Sequence, residues 1–270
     1  FQPKNGFYDL VNAMVLLGKS LGVSYQINHC LEKIEMNGNK ANKLIFNNKE
    51  YDCDIVVSGA DYHHTETLLP NKFRQYSEKY WAKRVFAPSS LLFYVGFNKK
   101  VKNVNHHNLF FDTDFDKHAE EIYDNPRWPS DPLFYANFTS KTNHKTAPLN
   151  CENGFFLIPI ATNLEDTNET REKYFNLIIK KLESFTKQDL RDSIIYKRSF
   201  CVSDFKNEYN SYGGNAYGLA NTLFQTAFLR PNIKSKLVQN LYFCGQLTVP
   251  GPGVPPAIVS GELVANLINK

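Results

Sequence analysis

Methionine and tryptophan are scarce in this 270-residue chain, two of each. No apolar run reaches the ~18 residues that a membrane-spanning helix needs. The longest candidates, Ser90–Phe97 and Phe155–Thr162, are short and Phe-rich, and read as buried strands or as walls against an apolar ligand. Neither CxxC nor HExxH occurs, and the adjacent pairs His63-His64 and His106-His107 do not converge on one metal as i,i+4 spacing would. No metal site is therefore expected. The five cysteines (Cys30, Cys53, Cys151, Cys201, Cys244) are an odd number without close pairs, which reads as reduced thiols in a cytosolic protein. Basic runs are absent too. The net charge of 31 − 27 = +4 is spread along the chain, which argues against a nucleic-acid partner. No signal peptide is visible, so the sequons at Asn137 and Asn168 carry little weight. No Ser/His/Asp order stands out. Also missing is the glycine fingerprint GxGxxG, since Gly251-Pro-Gly253 stands in the wrong context for it. The first residue is Phe1 and not Met, so the sequence reads as a processed or truncated product.

What is present is apolar surface: 42% hydrophobic residues and 14% aromatic, with 21 Phe and 15 Tyr. That much offsets the ordering entropy that keeps polar chains disordered. The length fits one large domain or two small ones. Apolar residues at Leu10, Val11, Met14, Leu17 and Leu21 predict a helix over residues 7–21, with Asn5 as N-cap and Gly22 as its stop. Strands are expected at Val23–Cys30, Glu32–Met36, Lys43–Asn47 and Tyr51–Ser58, with a hairpin turn at Asn37-Gly38. The run Asp54–Ser58 has the unbroken apolar texture of a strand buried inside an α/β sheet.

From about residue 71 to 235 the texture changes. Phe-, Tyr- and Leu-rich strands (Leu91–Phe97, Asn108–Phe111, Leu133–Phe138, Gly154–Ile160, Ile194–Phe200) alternate with helices near Asp114–Tyr123 and Thr170–Phe185. This predicts a mostly antiparallel sheet with helices on one face. The last segment returns to the first texture: a buried strand at Leu237–Gln246, a Pro/Gly turn at Pro250–Pro256 and a helix over Ala257–Asn269. Residues 1–70 and 236–270 are therefore read as one discontinuous domain, with 71–235 inserted as a second.

Chemistry concentrates at Asn240–Ala257, NLYFCGQLTVPGPGVPPA. A strand ends at Gly245, a Pro/Gly loop lets backbone approach closely, and a helix N-terminus follows, favouring an electron-rich group. Gly245, Gly251 and Gly253 suit a flat ligand; an ordinary strand–turn–helix corner is the competing reading.

This segment resembles the C-terminal flavin-binding signature of the bacterial phytoene desaturase family, FAD-dependent carotenoid desaturases of the flavin amine oxidase-like group, whose usual form is NLYxxGAxTHPGxGxPG. Gln246 and Leu247 replace its Ala and small residue, and Val249 replaces its His. Further runs resemble the family in order: the segment from Phe1 to Leu10, Asp54–Asp61 (DIVVSGAD), Trp128–Pro132, Gly214–Gly218 (GNAYG) and Gln225–Pro231 (QTAFLRP). The resemblance covers nearly the whole chain. It implies the C-terminal part of a Rossmann-like FAD-binding domain with an inserted antiparallel substrate domain, and a chain that is the C-terminal half of a longer enzyme. FAD is the implied cofactor of the full-length enzyme, bound weakly or not at all by this half.

The family comparison puts Leu31 beside the adenine and Asp61 near the cofactor, although Asp61 equally reads as the N-cap of the next helix. Gly245, Gln246, Gly251, Gly253, Val254, Pro255 and Pro256 form the implied flavin loop. Phe93, Tyr94, Phe134, Tyr135, Phe155, Phe156 and Phe228 are either polyene walls or plain core. Arg230 either stabilises charge as hydride leaves, as a catalytic residue, or makes a salt bridge at the domain junction. The implied reaction is hydride transfer to flavin from phytoene, a later acyclic or hydroxylated carotenoid, or γ-carotene, at a cytoplasmic, peripherally membrane-associated enzyme of open oligomeric state. Redox-neutral carotenoid or retinoid isomerisation and non-catalytic polyene binding are the competing functions.

Overall fold

A computed structural model describes residue 3 and residues 5–270; the family-like run beginning at Phe1 thus lies partly outside the described residues. The helix expected first is α1 (Tyr8–Ser20), closed by Gly22 at φ +87°. Its start differs from expectation. Phe7 is the N-cap without a side-chain cap, and Asp9 instead reaches back to accept from Asn5 N and Nδ2 at 3.1 and 3.0 Å. No residue of α1 is buried, so its apolar stripe stays exposed within this chain. Residues 23–30 form no strand, correcting the expectation for Val23–Cys30.

The meander is β1 (Leu31–Asn37), β2 (Lys40–Phe46) and β3 (Lys49–Asp52), antiparallel in that order, with Gly38 at φ +60° in the turn between β1 and β2. The expected strand Tyr51–Ser58 splits. Its second half is β4 (Val56–Ser58), which pairs in parallel with β10 (Leu241–Phe243) in a separate two-stranded sheet. Val56 is buried but Ile55 and Val57 are each 47% exposed, so this strand is covered on one side only, against the fully buried strand expected. Short helices α2 (Tyr62–Thr67) and α3 (Glu78–Ala82) follow.

The chain divides into two compact units. One comprises residues 1–27, 90–160 and 165–201; the other comprises 28–89, 161–164 and 202–270. The boundaries drawn from texture at 70 and 236 thus move to 89 and 202, and α1 belongs with the inserted part.

The first unit holds a five-stranded sheet in the order β6-β7-β8-β5-β9, made of β5 (Ser89–Phe97), β6 (His107–Phe110), β7 (Phe134–Asn137), β8 (Glu152–Ile160) and β9 (Ile194–Phe200). The pairs β6–β7, β7–β8 and β5–β9 are antiparallel. Strand period two sorts the side chains. Phe93, Val95, Phe97, Phe134, Phe156 and Ile158 are buried on one face. Against them lies α5 (Asn168–Thr186), started by Thr167, whose hydroxyl accepts from Thr170 N at 3.2 Å, and buried along Tyr174, Phe175, Ile178, Ile179 and Leu182. Helix α4 (Phe115–Tyr123) contributes His118, which bridges two strands' backbones: Nε2 lies 2.9 Å from Pro159 O, and Nδ1 accepts from Leu133 N at 3.2 Å. The other face is open, with Tyr94 41% and Leu109 65% exposed.

In the second unit, α6 (Val202–Tyr209) and α7 (Val254–Ile268) complete the elements. Ile34, Val56, Tyr62, Trp81, Leu219, Leu241 and Phe243 share its core, where the Tyr62 and Phe243 rings stack at 3.7 Å. Asn240 ties meander to strand pair: its Oδ1 accepts from Ala41 N at 2.8 Å, and its Nδ2 donates to Ala41 O and Asp54 O at 2.8 and 2.7 Å. Among the described residues no helix is long and apolar enough to cross a membrane.

Two stability predictions follow from this core. Asn240→Ala removes three hydrogen bonds and leaves both Ala41 backbone groups without that partner, so urea unfolding should register a loss of about 2 kcal/mol. Glu66, 3% exposed, accepts from Gln75 N at 2.9 Å, yet burial pushes its carboxyl up to about 7. The folded state thus holds a proton that the unfolded chain releases near pH 4.5. Its contribution is full below pH 4.5 and falls by about 3 kcal/mol as pH rises to 7. Glu66→Gln should flatten that stretch of the stability profile and leave the mutant more stable than the parent at pH 8; a profile unchanged by the substitution refutes the assignment.

Candidate functional site

Strands β4 and β10 run parallel, so their carboxyl ends lie side by side, and a crevice beyond such ends is where open α/β sheets place ligands. Val56 N donates to Asn240 O and Cys244 N to Ser58 O, both at 2.9 Å, which zips the pair to its last residue. Beyond it lies a cleft of about 590 Å³. Gly59, Ala60, Asp61 and Tyr62 line it after β4, Cys244 to Leu247 after β10, and Gly253, Val254 and Ala257 at the start of α7. Phe205, Tyr209, Ser211 and Asn215–Tyr217 complete the wall.

Gly59, Gly245 and Gly253 bring bare backbone to this wall. Gly245 and Gly253 adopt φ +103° and +114°, a region closed to most L side chains. A Cβ on Gly245 would meet nothing nearer than Gly59 O at 3.9 Å, so the glycine's service is its conformation and the bare approach it leaves. Gly245 N donates to Ser260 Oγ at 2.7 Å, fixing the strand end on α7. Behind the wall, Gly218 at φ +80° lies so close that a Cβ there would sit 2.9 Å from Gln246 O. The start of α7 has fewer donors than a helix usually offers: Pro255 and Pro256 have no N–H, and Ala257 N bonds Gly253 O at 2.9 Å. Val254 N–H remains, at the positive end of the dipole.

Of the two roles open to Asp61 in the sequence, the structure shows the N-cap. It caps α2, accepting from His64 N at 3.2 Å, and it lines the cleft. Its other oxygen accepts from Tyr212 N at 3.1 Å. Burial raises its carboxyl above the ordinary aspartate range, against the pull of those backbone amides.

Of the expected flavin loop, Gly245, Gln246, Gly253 and Val254 line the cleft, whereas Gly251, Pro255 and Pro256 do not. Gly251 is buried over Arg230: a Cβ on it would lie 3.2 Å from the guanidinium. Arg230 itself is 3% exposed. It donates to Leu219 O at 3.0 Å, Asn221 Oδ1 at 2.6 Å and Gln246 O at 3.3 Å. Burial lowers its pKa. The salt bridge read from sequence is therefore corrected to a set of carbonyl contacts, and Arg230 is not part of the cleft wall. Leu31, assigned to the adenine side, sits partly buried in β1 against the core and away from the cleft lining.

Among the apolar residues, Phe93 and Phe134 are 1% exposed and Phe156 is fully buried under the sheet. This corrects their expected role as substrate walls: each is core, because each points to the α5 face. Tyr94, Phe155 and Tyr135 point the other way, Tyr94 and Phe155 with rings 5.3 Å apart. Phe228, 88% exposed, lies in the second unit and not in the sheet unit. The cleft residues missed from sequence are chiefly Ser211 and Asn215–Tyr217. The run Gly214–Gly218 resembles the family, and that resemblance is the available signal.

The chain is 41% identical over 269 residues to a carotenoid 3,4-desaturase of Haloarcula japonica, covering 99% of this chain and 54% of that protein. It is 30% identical to a 4,4'-diapophytoene desaturase (4,4'-diaponeurosporene-forming) of Staphylococcus haemolyticus, covering 97% and 54%. The chain thus spans about half the length of the curated relatives it matches. An oxidoreductase of Methanosarcina mazei superposes with a TM-score of 0.63 at 13% identity, over 99% of this chain and 55% of that one. Residues 1–269 match the family of flavin containing amine oxidoreductases, and the chain belongs to that family.

Proposed function

We propose that this chain is part of an FAD-dependent carotenoid desaturase acting on a long acyclic polyene. One observation carries the reading: a cleft at the paired ends of β4 and β10 to which Gly59, Gly245 and Gly253 bring bare backbone, in a chain whose relatives are named for carotenoid desaturation. The residues fit a flat ring system. Gly59, Gly245 and Gly253 present no side chain to it, and Val254 N–H points from a positive helix end. The phosphate-cradling glycine fingerprint lies nowhere in these 270 residues, so FAD affinity of the chain alone should be weak.

Each desaturation removes two hydrogens from neighbouring carbons, one as hydride and one as proton, and leaves a C=C bond. An allylic C–H yields hydride only to an electron acceptor, which no side chain here supplies and FAD supplies when bound. The chain's own residues hold and orient. Arg230 braces the carbonyl of Gln246 and underlies Gly251, which makes it a positioning residue for the loop and leaves no catalytic contact for it. The open sheet face bearing Tyr94, Phe155 and Tyr135 is the proposed wall for the polyene.

A substrate dissolved in lipid calls for peripheral membrane contact, at a cytoplasmic face in this reading. Leu223, Phe224 and Phe228 are 79%, 76% and 88% exposed on a loop whose base is pinned. Gln225, 4% exposed, exchanges hydrogen bonds with both backbone groups of Val85 at 2.9 and 2.8 Å. Lys83, exposed, stands two positions before Val85, a cation suited to anionic headgroups.

Product analysis of the complete gene product with FAD and phytoene in liposomes tests the first proposal. The expected products are each two hydrogens poorer than the one before; a product of unchanged mass would instead mean isomerisation, and polyene binding without flavin a binding module. For the membrane contact, vesicle flotation should show at least tenfold weaker partition of Leu223→Ser/Phe224→Ser/Phe228→Ser onto anionic liposomes, each buried aromatic being worth roughly 1.5–3 kcal/mol. Equal partition of parent and variant would rule this loop out.

A further inference from the structure

The open face of the sheet carries a polar group at one end of its aromatic row. Tyr94, Phe155, Tyr135 and His107 stand on β5, β8, β7 and β6, four consecutive strands, with neighbouring ring centroids 5.3, 6.4 and 5.9 Å apart. At ~4.8 Å per strand the row spans about 14 Å, room for several conjugated double bonds laid flat on it.

At the β6 end the hydrogen bonds fix a tautomer. Thr139 Oγ1 donates to Asn137 Oδ1 at 2.7 Å, which turns the amide nitrogen toward Tyr135 and His107. That nitrogen can only donate. It lies 2.9 Å from the Tyr135 hydroxyl and 3.2 Å from His107 Nδ1. The Tyr135 hydroxyl, already accepting, has its own proton free for His107 Nδ1 at 2.6 Å. Two donors aimed at Nδ1 require a bare lone pair there, so the neutral imidazole carries its proton on Nε2. His107 is exposed, and Nε2–H is the donor it presents outward.

We propose that His107 Nε2–H, oriented by Tyr135 and Asn137, binds the oxygen of a hydroxylated polyene end and makes this sheet prefer an oxygenated chain end to a hydrocarbon one. The assignment rests on the open face being the polyene wall. The chemistry is specific: one neutral donor at the end of an apolar row matches a lone pair on an otherwise apolar molecule.

The test compares an acyclic polyene bearing a tertiary hydroxyl at one end with the same hydrocarbon lacking it. Each is equilibrated between detergent micelles and the protein, and bound polyene is read by absorbance. The protein should favour the hydroxylated form about fivefold, the yield of one net hydrogen bond. His107→Phe should abolish the preference while hydrocarbon affinity stays within twofold. His107→Gln, whose amide nitrogen reaches the Nε2 position, should restore most of it. Equal affinity of the parent protein for both polyenes, or a preference that survives His107→Phe, overturns the end-group assignment and leaves the wall intact. Tyr94→Ala leaving the affinity for both polyenes unchanged, or failure of both polyenes to bind the parent protein, overturns wall and assignment together.

Discussion

Everything in the second unit hangs on three residues of strand pairing with three others nearly two hundred positions away. The ladder Leu241–Phe243 on Val56–Ser58 is short, and so few backbone bonds cannot hold it alone. Three reinforcements do: the Asn240 side chain on Ala41 and Asp54, the buried stack of Tyr62 on Phe243, and Cys244 N continuing the zip to Ser58 O. Because the pairing is parallel, both chains leave at the same end. Asp61 and Gly245 reach one cleft for that reason alone. An antiparallel pairing of the same strands would send them to opposite ends and leave no site.

In the first unit the corresponding constraint is the two-residue period of the strands. One sheet supplies a core to α5 with Phe93, Phe134 and Phe156 and an open aromatic row with Tyr94, Tyr135 and Phe155, each residue one position away from its opposite in role. A single-residue register slip would exchange the two sets. The helix decides which face is core, since α5 buries a stripe of six residues from Tyr174 to Thr186 and only one sheet face can meet it.

That division also marks what the sequence could and could not convey. Strands and helices of the first unit were legible almost to the residue, because their apolar periods are strong and their ends are marked by Asp114 and Thr167 as caps. Which aromatic faced which way was not, since alternation gives two sets without saying which one a helix will cover. Val23–Cys30 looked like a strand from its apolar alternation, but residues 23–30 find no partner strand in the structure, and alternation without pairing does not make a sheet. The domain boundaries fell nearly twenty residues from where texture placed them on one side and over thirty on the other. Texture reports composition, while contacts such as Ala87 N to Gly218 O at 2.8 Å bind residues 71–89 to the glycine run around 214–218. The Pro/Gly loop after β10 was legible as a motif, and the cleft wall from Ser211 to Tyr217 as a motif without a role.

Arg230 illustrates why a motif residue need not be a reacting one. A buried guanidinium costs several kcal/mol of desolvation unless its donors are met; here Nη1 and Nη2 are met by carbonyls of Leu219 and Gln246 and by Asn221, not by a carboxylate, and Nε is left without a partner. Such a network is directional. The planar fork reaches carbonyls on separate segments at fixed angles, which the single ammonium of lysine cannot reproduce. Gly251 packs directly on that fork, at a φ of +127° and with a Cβ there only 3.2 Å from the guanidinium, so a side chain at 251 would press on the arginine. The glycine of the loop and the arginine of the LRP run are therefore one device. The first has no side chain because the second occupies its space, and together they set the backbone that faces the cleft at Gln246.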